Sequence, residues 1–299
     1  MKYRCSVCQE VFPFLPDICP VCGADKQAFR EYREEKITFQ KDTDETFVII
    51  GGGIAALETA KAIRERNKTA SIKMVFSEDK LPYNRPALSD LLCGGMTFAD
   101  IVVENYNFYK NNDIELYKNK TAKAIDTNKK IVTLSDNSSL SYDKLCLACG
   151  SYSFCPFETK ENTLPIKTLR DYNDALQILK LSDKKKKVII AGGGMLGVED
   201  AHSLNTRGLD VTILERGACI VKAQLDKTSS DMLKTALENK GVKVLINTSV
   251  KEIKKDSIIT DKNIELKADF IIVSMGVRPY SSIAKEAGLD VERAIKVDD

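Results

Sequence analysis

Four cysteines near the N-terminus have the spacing of a metal site. Cys5 and Cys8 form one C-x-x-C pair, and Cys19 and Cys22 form a second after ten intervening residues. Four thiolates spaced in this way bind a metal ion in tetrahedral geometry. Tetrahedral sulfur ligands suit zinc and iron alike, so the sequence predicts either a structural zinc or an iron that transfers electrons.

A glycine-rich turn in the second half of the chain has the spacing of a dinucleotide-binding turn. Gly192, Gly194 and Gly197 fit G-x-G-x-x-G directly after an apolar run, and Glu215 ends the following run. The first glycine permits a tight turn, the second lets the backbone approach a pyrophosphate, and the third lets the helix pack on the strand. A carboxylate at Glu215 accepts hydrogen bonds from a ribose 2′-hydroxyl, which favours NADH. Arg216 keeps NADPH as the alternative, because an arginine can bind a 2′-phosphate.

A similar turn occurs about 140 residues earlier. Gly51 and Gly53 follow the apolar run 47–50, Ala56 stands where the third glycine is usual, and Glu78 ends the next run. Alanine is accepted there because that position needs close packing rather than a positive φ. By itself this turn binds either FAD or NAD.

Each turn requires a strand before it and a helix after it, and together they define the fold class. We predict an α/β protein with two doubly wound, Rossmann-like dinucleotide-binding domains and a small N-terminal metal knuckle. The predicted divisions are a metal-binding domain (1–32), a linker (33–45), a first dinucleotide-binding part (46–160), a second dinucleotide-binding part (161–283) and a final segment (284–299).

Composition excludes several other classes of function. The formal net charge is +2, which argues against a nucleic-acid-binding surface. No apolar stretch approaches the roughly 18 residues that a membrane-spanning helix needs. The N-terminus lacks the apolar region of a signal peptide, so we expect a cytoplasmic location, where nine cysteines act as metal ligands and buried thiols.

The order of motifs from residue 46 to residue 299 resembles that of the flavoprotein reductases with two dinucleotide-binding domains. It reads glycine turn, acid, "LPYNRPALS", meander, "LACGS", glycine turn and "MGVRP". The chain is most similar to NADH:rubredoxin reductases and to the flavin module of the nitrite reductase large subunit. This resemblance implies that the first turn binds FAD and the second binds NAD(P)H. It makes 46–160 the first part of an FAD-binding domain, 161–283 an NAD(P)H-binding domain and 284–299 the start of a return to the FAD domain.

The same resemblance implies roles for individual residues. Arg85 would contact the FAD pyrophosphate, Pro86 would shape the loop beside the flavin, and Glu199 would lie near the nicotinamide and is the candidate catalytic residue. Asp90 stands where a lysine near the flavin is often found. The full set of implied cofactor contacts is Gly51, Gly53, Ile54, Ala55, Ala56, Glu78, Arg85, Pro86, Ala122, Ala148, Cys149 and Gly150 for FAD, with Gly192, Gly194, Met195, Leu196, Gly197, Glu199, Glu215, Arg216 and Gly276 for NAD(P)H.

The N-terminal stretch resembles a rubredoxin, through "YRC" before the first cysteine pair and "CPVCG" at the second. Its short loop is closer to the compact rubredoxin-like domain of rubrerythrins. Gln9 replaces the glycine that follows the first pair in that family, and this departure counts against iron. Iron with zinc as the alternative is therefore the predicted metal.

Together these features predict a flavoprotein oxidoreductase that passes electrons from NADH through FAD to a rubredoxin-type iron. A one-electron acceptor protein such as rubredoxin or rubrerythrin is the implied partner. Two alternatives stay open: an NADH oxidase or peroxide-detoxifying flavoenzyme, and a zinc-stapled binding module with an incomplete flavin site. We also expect the chain to stop where a strand returning to the FAD domain begins, which would weaken FAD binding.

Overall fold

The computed structural model describes residues 2–8, 10–32, 40–183 and 185–297. The chain divides into two compact units, Met1–Thr43 with Glu65–Lys68, and Asp44–Arg64 with Thr69–Asp299. Gln9 and residues 33–39 of the predicted linker lie outside the described residues.

The N-terminal unit contains a three-stranded antiparallel sheet in the order β2-β1-β3. Among the described residues of this unit, the buried cluster consists of Cys5, Cys19 and Phe29, with a few partly buried neighbours. A core this small supplies little stability, so cross-linking by a metal is the expected source. The elements are β1 (Lys2–Cys5), β2 (Val11–Phe12), a 3-10 turn (Lys26–Ala28) and β3 (Phe29–Tyr32).

The second unit begins with a four-stranded parallel sheet in the order β10-β4-β5-β6. Its central strand β4 is apolar and buried at Val48 to Ile50, as a strand covered on both faces must be. The predicted meander is the antiparallel sheet β7-β8-β9. The elements are β4 (Thr46–Ile50), α1 (Ile54–Arg66), β5 (Ser71–Val75), a 3-10 turn (Arg85–Ala87), α2 (Leu88–Cys93), α3 (Phe98–Ile101), α4 (Tyr106–Asn111), β6 (Ile114–Tyr117), β7 (Ala122–Asp126), β8 (Ile131–Leu134), β9 (Ser139–Ser141) and β10 (Lys144–Leu147).

The remainder repeats the design around a five-stranded parallel sheet in the order β12-β19-β13-β14-β15. An antiparallel sheet, β16-β17-β18, and a two-stranded pairing of β11 with β20 complete it. The elements are β11 (Ser151–Ser153), β12 (Ile166–Lys167), α5 (Tyr172–Leu181), β13 (Lys187–Ala191), α6 (Met195–Thr206), β14 (Asp210–Leu214), α7 (Lys227–Asn239), β15 (Lys243–Leu245), β16 (Val250–Ile253), β17 (Ser257–Thr260), β18 (Glu265–Lys267), β19 (Phe270–Val273), β20 (Val277–Pro279) and α8 (Ser282–Glu286). The predicted fold class, two doubly wound halves, is confirmed.

The largest hydrophobic core joins the two halves. Leu88, Leu91 and Leu92 of α2 are buried in the same cluster as Val198 and Ala201 of α6. Helix α2, which ends about a hundred residues before α6 begins, therefore packs against the helix of the second glycine turn. This packing fixes the loop before α2, which carries Arg85, relative to α6. Among the described residues, no helix combines the length and apolarity that a bilayer crossing requires.

Candidate functional site

The four N-terminal cysteines converge on one point. Their sulfur atoms all lie within 4.8 Å of one another. The sulfurs of Cys5 and Cys22, and those of Cys8 and Cys19, are 3.6 Å apart. A tetrahedron with metal–sulfur bonds of about 2.3 Å has edges of about 3.8 Å, so the four thiols fit a tetrahedral metal. The predicted four-cysteine cluster is confirmed, and it alone among the described residues groups three or more potential metal ligands.

Backbone N–H groups near the four-cysteine cluster favour the thiolate form of one of its members, Cys5. The N–H of Cys8 is the main cause that lowers the pKa of the Cys5 thiol to about 7. The N–H of Glu10 lowers the pKa of Cys8, but burial and the neighbouring sulfurs raise it to about 12. Four thiols this close cannot all ionise unless a cation balances their charge. The donor set therefore suits a divalent or trivalent metal ion.

The two glycine turns share one steric design. A Cβ added at Gly51 (φ +147°) would lie 2.2 Å from the carbonyl oxygen of Ala148. A Cβ added at Gly192 (φ +122°) would lie 2.2 Å from the carbonyl oxygen of Ser274. Each turn thus passes so close to the neighbouring strand end that only glycine fits. At the third position of the second turn, a Cβ on Gly197 would lie 2.1 Å from the carbonyl oxygen of Gly192, so helix and strand are in direct contact.

Two adjoining cavities, of about 400 and 670 Å³, open beside the first turn. Their size is typical of cofactor sites. Ala56 is the predicted FAD contact that does not line them, because it is fully buried inside the core under α1. The other predicted contacts all line one or both cavities: Gly51, Gly53, Ile54, Ala55, Glu78, Arg85, Pro86, Ala122, Ala148, Cys149 and Gly150.

Glu78 is held by a network at the wall of these cavities. Arg85 donates to its carboxylate from Nη2, and Tyr83 donates from its hydroxyl over 2.7 Å. Tyr83 is 2% exposed and accepts from the N–H of Tyr172, at the start of α5, over 2.9 Å. Burial raises the pKa of the Tyr83 hydroxyl, and the Glu78 charge adds to this. The acid predicted to bind a ribose is thus oriented in advance by neighbouring side chains.

Arg170 belongs to the same site but has no local sequence signal. It lines both cavities, and its carbonyl oxygen accepts from Arg85 Nη1 over 3.0 Å. The two arginines are 85 residues apart, and only the packing of α5 beside the first half brings them together. Residues 151, 171 and 280 also line the first cavity without having been predicted. Ser151 ends the motif "LACGS" and Tyr280 directly follows "MGVRP", whereas Asp171 belongs to neither motif.

The second turn leads into α6, whose N-cap is Gly194. Glu215 folds back onto the turn, and its carboxylate accepts from the N–H of Gly193 over 2.8 Å and of Gly217 over 2.5 Å. Arg216 is exposed next to it, and Gly276 has a φ of +92°. Met195 and Leu196, on the first turn of α6, are 44% and 47% exposed and available to a ligand. Most of the predicted NAD(P)H residues therefore lie in the turn, in the first residues of α6 or, as Glu215 does, against the turn.

Glu199 faces a second carboxylate across α2 and α6. It lines a cavity of about 300 Å³ together with Ser89, Asp90 and His202. Burial raises the pKa of the Glu199 carboxyl, the Asp90 charge raises it further, and a hydrogen bond from Ser89 opposes them. Asp90 therefore interacts with the predicted catalytic residue as a like charge, in the position where a lysine was expected.

The remaining cysteines do not form a redox pair. Cys146 packs into the cluster on one side of the parallel sheet, and Cys149 packs into the cluster on the other side. Burial raises the pKa of the Cys149 thiol, which keeps it protonated at neutral pH. All nine cysteines lie among the described residues, and none forms a disulfide. Reduction of a disulfide is therefore not a use that this cysteine arrangement supports.

Comparison with known proteins defines the class of the second unit. The family model of pyridine nucleotide-disulphide oxidoreductases matches residues 45–299, and the chain belongs to that family. The nitrite reductase [NAD(P)H] of Bacillus subtilis is 30% identical over 257 residues, which cover 84% of this chain and 32% of that protein. The NADH-rubredoxin oxidoreductase of Clostridium acetobutylicum is 30% identical over 256 residues, which cover 84% of this chain and 63% of that protein.

A solved structure supports the same conclusion. The crystal structure of NADH:rubredoxin oxidoreductase from Clostridium acetobutylicum matches with a TM-score of 0.68 at 27% identity, over 84% of this chain and 63% of that one. The chain thus spans between about a third and just under two thirds of the relatives' lengths. The predicted similarity to NADH:rubredoxin reductases and nitrite reductases is confirmed for the matched residues. The rubredoxin-like nature of the first 32 residues stays a prediction, supported by the four-cysteine cluster.

Proposed function

We propose that the second unit is the FAD- and NAD(P)H-binding module of a flavoprotein oxidoreductase. FAD binds at the Gly51 turn, in the part predicted at 46–160, and NAD(P)H binds at the Gly192 turn, in the part predicted at 161–283. The observation that carries this proposal is the pair of turns, in each of which a Cβ added at the first glycine would lie 2.2 Å from a neighbouring carbonyl oxygen. When bound, FAD would accept two electrons together and release them one at a time, which nicotinamide cannot do.

The residues of the second turn favour NADH over NADPH. The Glu215 carboxylate is fixed by two backbone N–H groups, so it is oriented to accept from ribose hydroxyls. A 2′-phosphate at that position would meet a negative charge at close range. Arg216, exposed beside it, is the group through which NADPH could still bind.

We further propose that the electrons leave one at a time, to an iron in the four-cysteine cage or to an acceptor protein such as rubredoxin or rubrerythrin. Sulfur spacing of 3.6 Å supports a tetrahedral metal, and hydrogen bonds from backbone N–H groups to sulfur are the feature by which proteins tune iron–sulfur potentials. The arrangement of the cysteines supports a one-electron acceptor over a disulfide substrate. A cytoplasmic location is part of the same proposal, since it rests on the use of cysteines as thiols.

Spectroscopy of the purified full chain tests these proposals. We expect flavin absorption bands, a ferric–thiolate spectrum and about one iron per chain. Anaerobic stopped-flow mixing with NADH should bleach the flavin first and the iron afterwards. A colourless, zinc-loaded protein without flavin would instead support the binding-module alternative. Rapid NADH-dependent oxygen consumption, with no reduction of the iron, would support the NADH oxidase alternative.

A further inference from the structure

The second glycine turn contains three consecutive glycines, and its middle residue is held from both sides. The N–H of Gly193 donates to Glu215 Oε2 over 2.8 Å, and its carbonyl oxygen accepts from the N–H of Val221 over 2.7 Å. Glycine permits a wide range of backbone angles, so the peptide group between Gly193 and Gly194 would rotate easily if nothing held it. Val221 is the residue that holds the carbonyl end of this peptide.

Val221 makes this contact from an unfavourable backbone conformation. Its φ is +51°, in the left-handed region, although it is a β-branched residue and only 1% exposed. Branched residues rarely adopt this conformation, and such outliers persist only where the surrounding structure imposes them. The carbonyl oxygen of Val221 accepts from the N–H groups of Gln224 and Leu225, both over 3.0 Å. Both backbone groups of Val221 are therefore used in hydrogen bonds, and its N–H is committed to the turn.

The residue before Val221 anchors this loop beside the turn. Ile220 is fully buried, and its carbonyl oxygen accepts from the hydroxyl of Ser230 on α7 over 2.8 Å. A Cβ added at Gly193 would lie 2.9 Å from Cγ2 of Ile220, so the Ile220 side chain packs directly against the turn. The N–H of Val221 is thus held in a fixed place by the core of this half.

Fixing the carbonyl of Gly193 also fixes the direction of the next N–H. The peptide bond is planar and trans, so the carbonyl of Gly193 and the N–H of Gly194 point in opposite directions. Since the carbonyl is directed towards Val221, the N–H of Gly194 is directed away from the loop. Gly194 is the N-cap of α6, and the N–H groups at the start of a helix lack partners within it and bind anions. A reversed peptide would present a carbonyl oxygen instead, which repels a phosphate.

We propose that Val221 is a positioning residue for NAD(P)H, whose backbone N–H orients the peptide between Gly193 and Gly194 so that the N–H of Gly194 faces the dinucleotide phosphates. This inference rests on the proposed function of the Gly192 turn as the NAD(P)H site. In the part of the chain that the structure describes, no backbone N–H donates to the carbonyl oxygen of Gly52, the corresponding residue of the first turn. FAD binding should therefore not depend on Val221.

Replacement of the Val221 N–H by an ester oxygen tests the proposal, because it deletes one hydrogen-bond donor and keeps the valine side chain. The hydroxy-acid analogue of valine is introduced at position 221 of the full chain, and ligands are titrated by calorimetry. NADH and ADP-ribose, which both carry the pyrophosphate, should bind about tenfold more weakly, the effect of losing one buried hydrogen bond. Adenosine, which has the ribose but no phosphate, should bind the wild type and the ester with equal affinity.

The same ester at Val242 is the matched control. Val242 is also 1% exposed, and its N–H also donates to a backbone carbonyl, that of Leu237, over 3.1 Å. This ester should bind NADH as the wild type does. Val221→Gly keeps the N–H and adopts a positive φ without strain, so it should bind NADH within about threefold of the wild type. FAD affinity should be unchanged in all three proteins.

Wild-type affinity for NADH in the Val221 ester would overturn the proposal, and so would an equal loss of affinity for adenosine and ADP-ribose. A tenfold loss of NADH affinity in Val221→Gly would also overturn it, because the effect would then belong to the side chain rather than to the N–H. Failure of the wild type to bind either NADH or ADP-ribose would instead overturn the proposed function of the turn itself.

Discussion

Asp200 is a buried acid that the proposed chemistry does not use. It lies on α6 with 1% of its surface exposed, and its Oδ1 has no hydrogen-bond partner in the part of the chain that the structure describes. Burial raises its pKa to about 8 from an ordinary value of 3.8, and the charge of Glu199 adds to the rise. The folded protein therefore holds a proton on Asp200 at pH 7, while the unfolded chain does not.

The size and sign of the effect follow from this shift. About three pH units separate pH 7 from the ordinary value, and each is worth about 1.4 kcal/mol, so Asp200 costs about 4 kcal/mol of stability at pH 7. The folded pKa is raised, so the contribution of Asp200 is most favourable below about pH 4. It is lost progressively as the pH rises through about 8, and it changes little above that.

Asp200→Asn removes the titration while keeping the size of the side chain. The amide still lacks partners, which costs about 1–3 kcal/mol, so we expect a net gain of about 1–3 kcal/mol at pH 7. The sharper signature is the pH dependence of stability. Relative to the wild type, the advantage of the variant should grow by about 1.4 kcal/mol per pH unit from pH 5 to pH 8.

Urea unfolding at pH 5, 6, 7 and 8, followed by far-ultraviolet circular dichroism, measures this difference. Ser203→Ala serves as the control, because Ser203 is also buried on α6 but does not titrate in this range. Its stability relative to the wild type should stay constant across the series. Parallel pH profiles for the wild type and Asp200→Asn would refute the reasoning.

Three further predictions concern the turns, the cage and a helix cap. Gly51→Ala should lower FAD affinity more than about tenfold and leave NADH binding unchanged, whereas Gly192→Ala should lower NADH affinity and leave FAD binding unchanged. In each variant the new Cβ would lie 2.2 Å from a carbonyl oxygen. Titration of each variant with each cofactor measures both effects. Cys22→Ser should lose most of its bound metal by elemental analysis while the flavin spectrum persists, and unchanged metal content would contradict the cage. Asp226 is the N-cap of α7 and accepts a hydrogen bond from the N–H of Ser229, which lowers the pKa of its carboxyl. Asp226→Ala should therefore destabilise the protein at pH 7, and the destabilisation should become smaller as the pH falls towards 3. Thermal unfolding of both proteins across this pH range measures the difference.

Local signals in the sequence were sufficient for the turns and for the metal cage. Both glycine clusters, the strands before them and the two C-x-x-C pairs depend on neighbours within a few residues, so their spacing predicts their geometry. Arg170 and Tyr83 depend instead on packing between segments. Tyr83 bonds to the N–H of Tyr172, 89 residues later, and no periodicity in either segment indicates that contact.

The sequence also does not show which face of a helix is buried when contacts with distant segments decide it. The pattern of α6 predicts a helix, but which of its residues are covered depends on α2, whose leucines pack against Val198 and Ala201. That packing brings Asp90 against Glu199, and Asp200 on the same helix is buried. The family resemblance identified Glu199 as a candidate residue. Its interactions with Asp90 and with Asp200 could not be derived from the spacing of these residues in the sequence.

The acids that follow the second strand of each half differ in position and in partners. Glu215 directly follows β14, whereas Glu78 lies three residues beyond the end of β5, where Phe76 is the counterpart of Glu215. Glu215 is held by two backbone N–H groups, which orient its carboxylate but bring no opposing full charge. Glu78 is held by the Tyr83 hydroxyl and the Arg85 guanidinium, which cancels its charge. A carboxylate that keeps its charge at the second turn would suit ribose hydroxyls and disfavour an added phosphate, as proposed for NADH. The charge of Glu78 is instead set by Tyr83 and Arg85, which lie outside the glycine motif, so the spacing of the motif alone does not predict it.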